Sequence, residues 1–311
     1  LEELDEGYKV AYITKTDMEL VKGGKSLLRR LSFFLAGPYA VARAKIVLMD
    51  NIFLPFAYLK IRRGVKVIQL WHGTGTIKKF GQDANTGRLK ELEYRANRNI
   101  THLIVNSERL RGLYAGAFGI DEGRVYPIGL PRSDEMIKRI KGISEKGCNE
   151  DKERLYERHA IGRDKKLVLY APTFRDDGQD IGRIPKISGS IISKLPDEYV
   201  LGLRLHPFVA DNIKGYTLPD RVVQLSFESD LSEVLIASDI LITDYSSIIF
   251  EYCLLGRPMI FLAYDLEEFS SRGRGFYTDY ESSVPGPVVR DVSLVAGIIT
   301  GGRYDTDKAD K

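Results

Sequence analysis

The sequence has few cysteines, few histidines and no long apolar run. Its two cysteines, Cys148 and Cys253, lie far apart without the spacing of a metal site, so we expect neither a disulfide framework nor a bound metal. No apolar run reaches about 18 residues, and the first residues, LEELDEGYKV, are too highly charged for a signal peptide. The sequence therefore predicts a protein of a reducing compartment with no membrane span and no export signal.

A strong excess of one charge is also missing. The chain contains 46 Lys and Arg against 43 Asp and Glu, and 43% of its residues are hydrophobic, which is ordinary for a globular protein. The small basic excess suits an anionic substrate or surface but is too weak to indicate a nucleic-acid partner. The length, 311 residues, suffices for one large or two medium-sized α/β cores.

Several common signatures of catalytic and phosphate-binding sites are absent. The chain has no GxxxxGK[ST] loop, no HExxH motif and no GxSxG motif. The glycines in LRGLYAGAFGID do not follow a strand, as they would in a dinucleotide-binding fingerprint. We therefore expect no bound cofactor.

Short β-branched runs alternate along the chain with helix-like segments. The first half contains YKVAYIT, AKIVLM, VKVIQLW, THLIVN and RVYPIG, and the second contains KLVLYAPTF, YVLGLRLHP, VVQLS, DILITDYSS and PMIFLAY. Nearly continuous apolar strands with helices between them predict parallel sheets covered on both faces. The predicted fold class is α/β, with two Rossmann-like domains.

A polar stretch at residues 144–166 separates the two series of strands. It contains no buried strand, and we interpret it as the linker region. The predicted domains are therefore residues 1–150 and 151–311. Two such domains predict a ligand cleft between them, at the carboxyl ends of the strands.

Polar residues follow four of the predicted strands where each strand ends. They are His72 after VKVIQLW, Arg175 after LVLYAPTF, His206 after YVLGLRL, and Asp244, Ser246 and Ser247 after DILIT. Open α/β sheets bind ligands at this edge. Two histidines, an arginine and a helix start form a set that could hold a pyrophosphate without an acidic metal cage.

Each of these residues also has a purely structural interpretation. His72 could cap or pack against the strand end, although the glycines beside it leave backbone room for a ligand and expose amides. The RLHP segment could be a strand that ends at its proline. Asp244 or Ser246 could cap the following helix, and Arg175 could pair with a neighbouring aspartate at the surface. The occurrence of four such clusters at strand ends favours a ligand site.

Five segments carry a resemblance to a known family. QLWHGTGTIKKFG, APTFRDD, LRLHPF, SDILITDYSSIIFEYCLLGRPMIFLAYDLEEF and RGFYTDYESSVPGPVV resemble the CDP-glycerol glycerophosphotransferases that build wall teichoic acid in Gram-positive bacteria. The resemblance extends from about Lys45 to about Arg290. It implies a GT-B fold of two Rossmann-like halves and a transferase that moves glycerol phosphate from CDP-glycerol to a hydroxyl, with CMP leaving.

The resemblance also implies roles for individual residues. His72 would be the general base that deprotonates the attacking hydroxyl, a role that suits histidine because its unperturbed pKa is about 6.5. His206 would contact the pyrophosphate and stabilise the leaving CMP. The implied donor-binding residues are Arg175, Thr243, Asp244, Ser246, Ser247 and Glu251, and the implied acceptor-binding residues are Gly73 and Thr74.

Within the family, the primase is the favoured member. It adds the first glycerol phosphate to the ManNAc-GlcNAc disaccharide on undecaprenyl pyrophosphate. Thr74 stands where polymerases are expected to have an asparagine or another polar residue, and we expect the large extra domain of polymerases to be missing. Three alternatives stay open: a poly(glycerol phosphate) or poly(ribitol phosphate) polymerase, a GT-B nucleotide-sugar glycosyltransferase, and a non-catalytic scaffold. The sequence distinguishes neither CDP-glycerol from CDP-ribitol nor one oligomeric state from another.

A lipid-linked acceptor requires access to the cytoplasmic face of the cell membrane. The segment VKGGKSLLRRLSFFLAGPYAVARAK combines basic and apolar residues that would share an amphipathic helix: Lys22, Lys25, Arg29, Arg30, Phe33 and Phe34. Such a helix can lie in the headgroup region of an anionic leaflet, or it can pack into the protein core with a solvated basic edge. We predict a peripheral membrane protein that binds an anionic membrane surface.

Neutralising the four basic residues of this segment tests the membrane prediction. Each should contribute about 1 kcal/mol to binding of an anionic leaflet, so the quadruple variant should no longer co-sediment with anionic vesicles. Activity on a short, water-soluble acceptor should survive the same changes. Undiminished vesicle binding would show that the lipid is met by another surface.

Overall fold

The computed structural model describes residues 9–12, 37–175, 180–213, 217–272 and 275–304. The chain forms two compact units. The first contains its described residues up to His72 together with Gly81–Ile128, and the second contains Gly73–Phe80 and the described residues from Gly129 onward. Each unit is built around one parallel sheet, which confirms the predicted α/β class with two parallel-sheet domains.

The first unit contains a four-stranded sheet in the order β1-β2-β3-β4. Its strands, all parallel, are Ile46–Met49 (β1), Lys66–Gln69 (β2), His102–Val105 (β3) and Val125–Pro127 (β4). Its helical segments are residues 37–43, Gly87–Asn97 and Arg111–Phe118, with short 3-10 turns at Leu54–Ala57, Gly81–Asp83, Glu108–Leu110 and Glu122–Arg124. Val67 of β2 and Phe56 are buried together in the core.

The predicted strand YKVAYIT is not a strand in its described part. Residues 9–12 have no regular secondary structure, and Val10 and Tyr12 are 49% and 71% exposed. The prediction was wrong for these residues, because β-forming side chains do not make a strand without a neighbouring strand to pair with. The rest of that segment lies outside the described residues.

The second unit contains a six-stranded parallel sheet in the order β10-β9-β8-β5-β6-β7. Its strands are Lys166–Ala171 (β5), Tyr199–Leu203 (β6), Val222–Gln224 (β7), Ile240–Thr243 (β8), Met259–Leu262 (β9) and Val288–Val289 (β10). Its helices are Pro131–Lys146, Glu150–Arg158, Asp180–Ile192, Pro207–Asn212, Leu231–Ala237, Ile248–Tyr252, Leu266–Arg272, Tyr280–Ser283 and Val295–Gly301, with 3-10 turns at Cys253–Leu255 and Val292–Leu294.

Both faces of this second sheet are buried. Leu167 and Leu169 of β5 belong to one apolar cluster, whereas the alternating residues Val168 and Tyr170 belong to another. The chain continues from β5 to β6 and β7 on one side and later adds β8, β9 and β10 on the other. The strand order therefore reverses between β5 and β8, which is where open α/β sheets place their ligands.

The segment that we interpreted as a linker is mostly helical and packed. Leu155 and Tyr156, in the helix Glu150–Arg158, are buried in the same cluster as Leu167 of β5. Their neighbour Arg158 forms an ion pair with Glu233. The segment looks like a linker in the sequence because only one face of this helix is apolar, while the other face carries ion pairs. The predicted boundary between residues 150 and 151 thus lies inside the second unit.

In the described part of the chain, no helix combines the length and the apolar character needed to cross a bilayer. The segment predicted to meet the membrane, with Lys22, Lys25, Arg29, Arg30, Phe33 and Phe34, lies outside the described residues.

Gly286, just before β10, tests the packing of the second sheet. A Cβ atom at this position would lie 2.3 Å from the carbonyl oxygen of Met259 in β9, and that backbone atom is fixed by the sheet. We expect Gly286→Ala to lower the free energy of unfolding by about 1–3 kcal/mol, the usual effect of overpacking. Urea unfolding followed by circular dichroism measures this change.

Gly297 provides the matched control. It lies on the exposed side of the helix Val295–Gly301, and a Cβ atom there would meet nothing within 4 Å. Gly297→Ala should raise the unfolding free energy by about 0.5–1 kcal/mol, because alanine is the better helix former. Equal stability of the two variants would contradict the described contact.

Candidate active site

His72 lies just beyond β2 with its side chain exposed. Its ring nitrogen Nδ1 is 2.9 Å from the carbonyl oxygen of Asp50, which lies just beyond β1. A carbonyl oxygen only accepts hydrogen bonds, so Nδ1 carries the proton and donates it. The neutral imidazole in this arrangement has its lone pair on Nε2. The His72 ring can therefore accept a proton at Nε2.

The backbone before His72 is strained and tightly held. Trp71 has a φ of 58°, a left-handed conformation that costs about 1–2 kcal/mol for a residue with a side chain. Its N–H donates to Oε1 of the fully buried Gln69, and Nε2 of Gln69 donates to the carbonyl oxygen of Asn51. Gln69 thus joins the loops after β1 and β2. The sequence analysis missed Gln69, although it is the polar residue inside the apolar run VKVIQLW.

The residues after His72 belong to the second unit. Within Gly73–Phe80, Ile77 accepts a hydrogen bond from the backbone N–H of Tyr277. A Cβ atom on Gly75 would lie 2.7 Å from the ring of Phe250. Gly75 is therefore needed for packing against Phe250. Thr74 is buried too, and its Oγ1 has no hydrogen-bond partner among the described residues.

At the switch point of the second sheet, Arg175 and Asp244 form a buried ion pair. Arg175 follows β5, Asp244 follows β8, and Nη1 of Arg175 lies 2.8 Å from Oδ2 of Asp244. Nε and Nη2 of Arg175 donate to the two carboxylate oxygens of Asp265, which follows β9, at 2.8 and 2.9 Å. Arg175 is 7% and Asp244 1% exposed. The network therefore joins the carboxyl ends of three adjacent strands.

The surroundings of this network stabilise its charges. Oδ1 of Asp244 accepts hydrogen bonds from the backbone N–H groups of Thr173 and Tyr245. Burial opposes ionisation of Arg175 and Asp265, but their mutual hydrogen bonds prevail, so the pKa of Arg175 is raised and that of Asp265 is lowered. Three rings lie within 6 Å of the guanidinium carbon, those of Tyr245, Phe269 and Tyr264.

The predicted donor-binding residues at the ends of β5 and β8 differ in their burial. Thr243 is fully buried, and its hydroxyl donates to the carbonyl oxygen of Ala171 at 2.6 Å, so it ties β8 to β5. Arg175 and Asp244 are buried as well. Ser246 and Ser247 are partly exposed at the start of the helix Ile248–Tyr252, and the Ser247 side chain makes no capping bond there.

His206 is exposed just beyond β6. Its ring stacks on Phe174, which follows β5, with 4.7 Å between the ring centroids. Because β5 and β6 are neighbouring parallel strands, both residues lie at the same edge of the second sheet. The structure thus brings His206, Ser246 and Ser247 to the edge that the buried network supports.

Glu251 lies in the helix that starts at this edge, and it is paired with a residue that the sequence analysis missed. Its Oε1 lies 2.8 Å from Nε of Arg132, near the start of the helix Pro131–Lys146. The GLPRSD segment could have indicated Arg132, because it places this arginine after a strand and at a helix start. Asp265 was missed as well, although it follows the predicted strand PMIFLAY. No group of three or more potential metal ligands occurs among the residues that the structure describes.

Comparisons with known proteins identify the family of the chain. The family model described as CDP-Glycerol:Poly(glycerophosphate) glycerophosphotransferase matches residues 1–311. The chain is 36% identical over 288 residues to the teichoic acid poly(ribitol-phosphate) polymerase of Bacillus spizizenii, covering 91% of this chain and 45% of that protein. It is 34% identical over 276 residues to the teichoic acid glycerol-phosphate primase of Bacillus subtilis, covering 87% of this chain and 69% of that protein.

A solved structure of a wall teichoic acid polymerase is also similar to this chain. The structure of a variant of the wall teichoic acid polymerase TagF soaked with CDPG has a TM-score of 0.71 and 29% sequence identity, covering 86% of this chain and 66% of that one. The chain spans less than half of the ribitol-phosphate polymerase and about two thirds of the primase. From these matches, the chain belongs to the CDP-glycerol:poly(glycerophosphate) glycerophosphotransferase family.

Proposed function

We propose that this chain is a transferase of teichoic acid synthesis that moves glycerol phosphate from CDP-glycerol to a hydroxyl acceptor and releases CMP. Membership of the family and the similarity to primases and polymerases of teichoic acids support the reaction class. The observation that carries the proposal is the orientation of His72, because its bond to Asp50 places the basic lone pair on Nε2.

In the proposed reaction, the acceptor hydroxyl lies at Nε2 of His72. The histidine takes the hydroxyl proton while the oxygen attacks the phosphorus atom that carries glycerol. A new P–O bond to the acceptor forms, the P–O bond of the pyrophosphate breaks, and CMP leaves with the electron pair of that bond. General-base catalysis of this kind contributes about 10²–10⁴-fold to the rate.

The edge of the second sheet would bind the donor. The hydroxyls of Ser246 and Ser247 would donate to the pyrophosphate, and His206 would stabilise the charge that develops on the leaving CMP. The positions of Arg175 and Asp244, both buried and engaged with each other, favour an indirect role in which they hold the loops that carry these groups. Direct contact of Arg175, Thr243 or Asp244 with the donor stays a prediction, as does acceptor binding by Gly73 and Thr74.

For the acceptor, we propose the lipid-linked disaccharide of a primase, on the cytoplasmic face of the cell membrane. The similarity to the glycerol-phosphate primase of Bacillus subtilis supports this choice. A polymerase that uses CDP-ribitol is the second candidate, which the 36% identity to the ribitol-phosphate polymerase favours. CMP release measured with CDP-glycerol and CDP-ribitol, each with a disaccharide-lipid analogue, separates the two.

The two candidate catalytic histidines can be tested directly. His72→Ala removes the proposed base, and His206→Ala removes a group that stabilises the leaving CMP, so each should lower kcat by at least about a hundredfold. The measurement is steady-state CMP release with CDP-glycerol and the disaccharide-lipid analogue, on variants with unchanged circular dichroism spectra.

The other two histidines are matched controls, one in each unit. The ring of His102 stacks on Tyr126, and Nε2 of His159 lies 2.7 Å from Oε1 of Glu228. His102→Ala and His159→Ala should retain kcat within about threefold, because neither side chain has a role in the proposed reaction. The assigned roles would be refuted if all four variants lost activity alike. They would also be refuted if neither His72→Ala nor His206→Ala lost activity.

A further inference from the structure

Glu251 is a buried carboxylate that forms an ion pair with Arg132. Its side chain is 7% exposed, and its Oε1 makes no hydrogen bond to a described residue, although Nε of Arg132 lies 2.8 Å away. Burial raises the pKa of Glu251, and the charge of Arg132 opposes that rise. A buried carboxylate oxygen without a hydrogen bond destabilises a fold, so a ligand that supplies one is the simplest reason for its presence.

Glu251 faces the same way as one of the candidate donor-binding serines. It lies one helical turn after Ser247, and residues with this spacing share a face of a helix. Tyr252, the next residue, is fully buried in the apolar core instead. The carboxylate therefore lies on the side of the helix that continues from the donor edge.

Arg132 lies near the start of a helix that is anchored in the core. Gly129 has a φ of 90°, which favours glycine, and Pro131 begins the helix Pro131–Lys146. Met136, one turn after Arg132 on the same face, is buried in the core of the second unit. Arg132 therefore lies at the rim of that core, with 43% of its side chain exposed.

A second arginine limits the kind of ligand that fits. Arg204 follows β6, and its Nη1 donates to the carbonyl oxygens of Leu225 and Glu228 at 2.8 and 2.6 Å. Burial lowers the pKa of Arg204, and the nearby charge of Arg132 lowers it further. The carboxylates of Glu228 and Asp230 act on Arg204 in the opposite direction, so both signs of charge are present around Arg132 and Arg204. A carboxylate that is already paired with a cation accepts hydrogen bonds best from neutral donors, such as two adjacent hydroxyls.

We propose that Arg132 is a positioning residue of the donor site, which holds the Glu251 carboxylate so that it accepts hydrogen bonds from a vicinal diol of the donor. This proposal rests on the proposed function, because it takes CDP-glycerol as the donor. CDP-glycerol carries two such diols, one on the ribose and one on the glycerol.

Steady-state kinetics of the full chain with CDP-glycerol test this role. Arg132→Met and Glu251→Gln should each raise KM for CDP-glycerol by about tenfold or more, because a hydrogen bond to a charged group is lost or misaligned. kcat should stay within about threefold, since neither residue touches the reacting atoms. The double variant should be no worse than the worse single variant, because both changes disable one unit. Arg132→Lys, which keeps the charge, should give an intermediate KM.

Arg139→Met is the matched control. Arg139 lies on the same helix, two turns further on, and pairs with Asp230 at 2.6 Å. This variant loses an ion pair of similar length but should keep the KM of the wild type. If Arg132→Met does not fold, Glu251→Gln decides the question, since it keeps the shape of the side chain and removes the buried charge.

Inhibition by CMP identifies which diol is recognised, because CMP has the ribose but no glycerol. A raised inhibition constant in Arg132→Met and Glu251→Gln assigns the ribose, whereas an unchanged constant with a raised KM for CDP-glycerol assigns the glycerol. Unchanged KM and inhibition constants in both variants would overturn the inference. A wild-type chain that does not turn over CDP-glycerol would instead contradict the proposed function.

Discussion

The buried ion pair of Arg175 with Asp244 is the interaction on which the candidate donor site depends. It joins the strands β5 and β8 where the strand order of the second sheet reverses, and Asp265 extends it to β9. Removal of one partner from such a pair leaves an unpaired buried charge and destabilises by about 3–5 kcal/mol. The loops that carry Ser246 and Ser247 on one side and Phe174 on the other start from this network.

Both units follow the same structural principle. Buried polar side chains fix loops at the carboxyl ends of neighbouring strands, and an exposed histidine lies at the same edge of each sheet. Gln69 and the carbonyl of Asp50 do this for His72, and the Arg175 network supports the edge that carries His206. The two histidines proposed for chemistry are exposed, whereas Gln69, Arg175 and Asp244 are buried.

The apolar runs predicted most of the sheet correctly, because strands such as β5, β6 and β8 are buried on both faces and read as continuous apolar segments. The positions of His206 and Ser246 at strand ends followed from the same pattern. The prediction of a strand at residues 9–12 was wrong, because the composition of a segment does not reveal whether a neighbouring strand is present to pair with it. The helix Glu150–Arg158 was mistaken for a linker because its ion pairs look like solvated charges. Asp265 and Arg132 could have been noticed at their strand ends, but their pairings with Arg175 and Glu251 were not predictable, because these residues meet only in the folded chain.

The most direct test of the donor site is the affinity for CMP of the full chain and of a Ser246→Ala, Ser247→Ala double variant, measured by titration calorimetry. The wild type should bind CMP, and the double variant should bind at least about tenfold more weakly with an unchanged thermal midpoint, because two hydrogen bonds of about 1 kcal/mol each are lost. Equal affinities would mean that the nucleotide phosphate does not lie at this edge of the sheet, and would contradict the account.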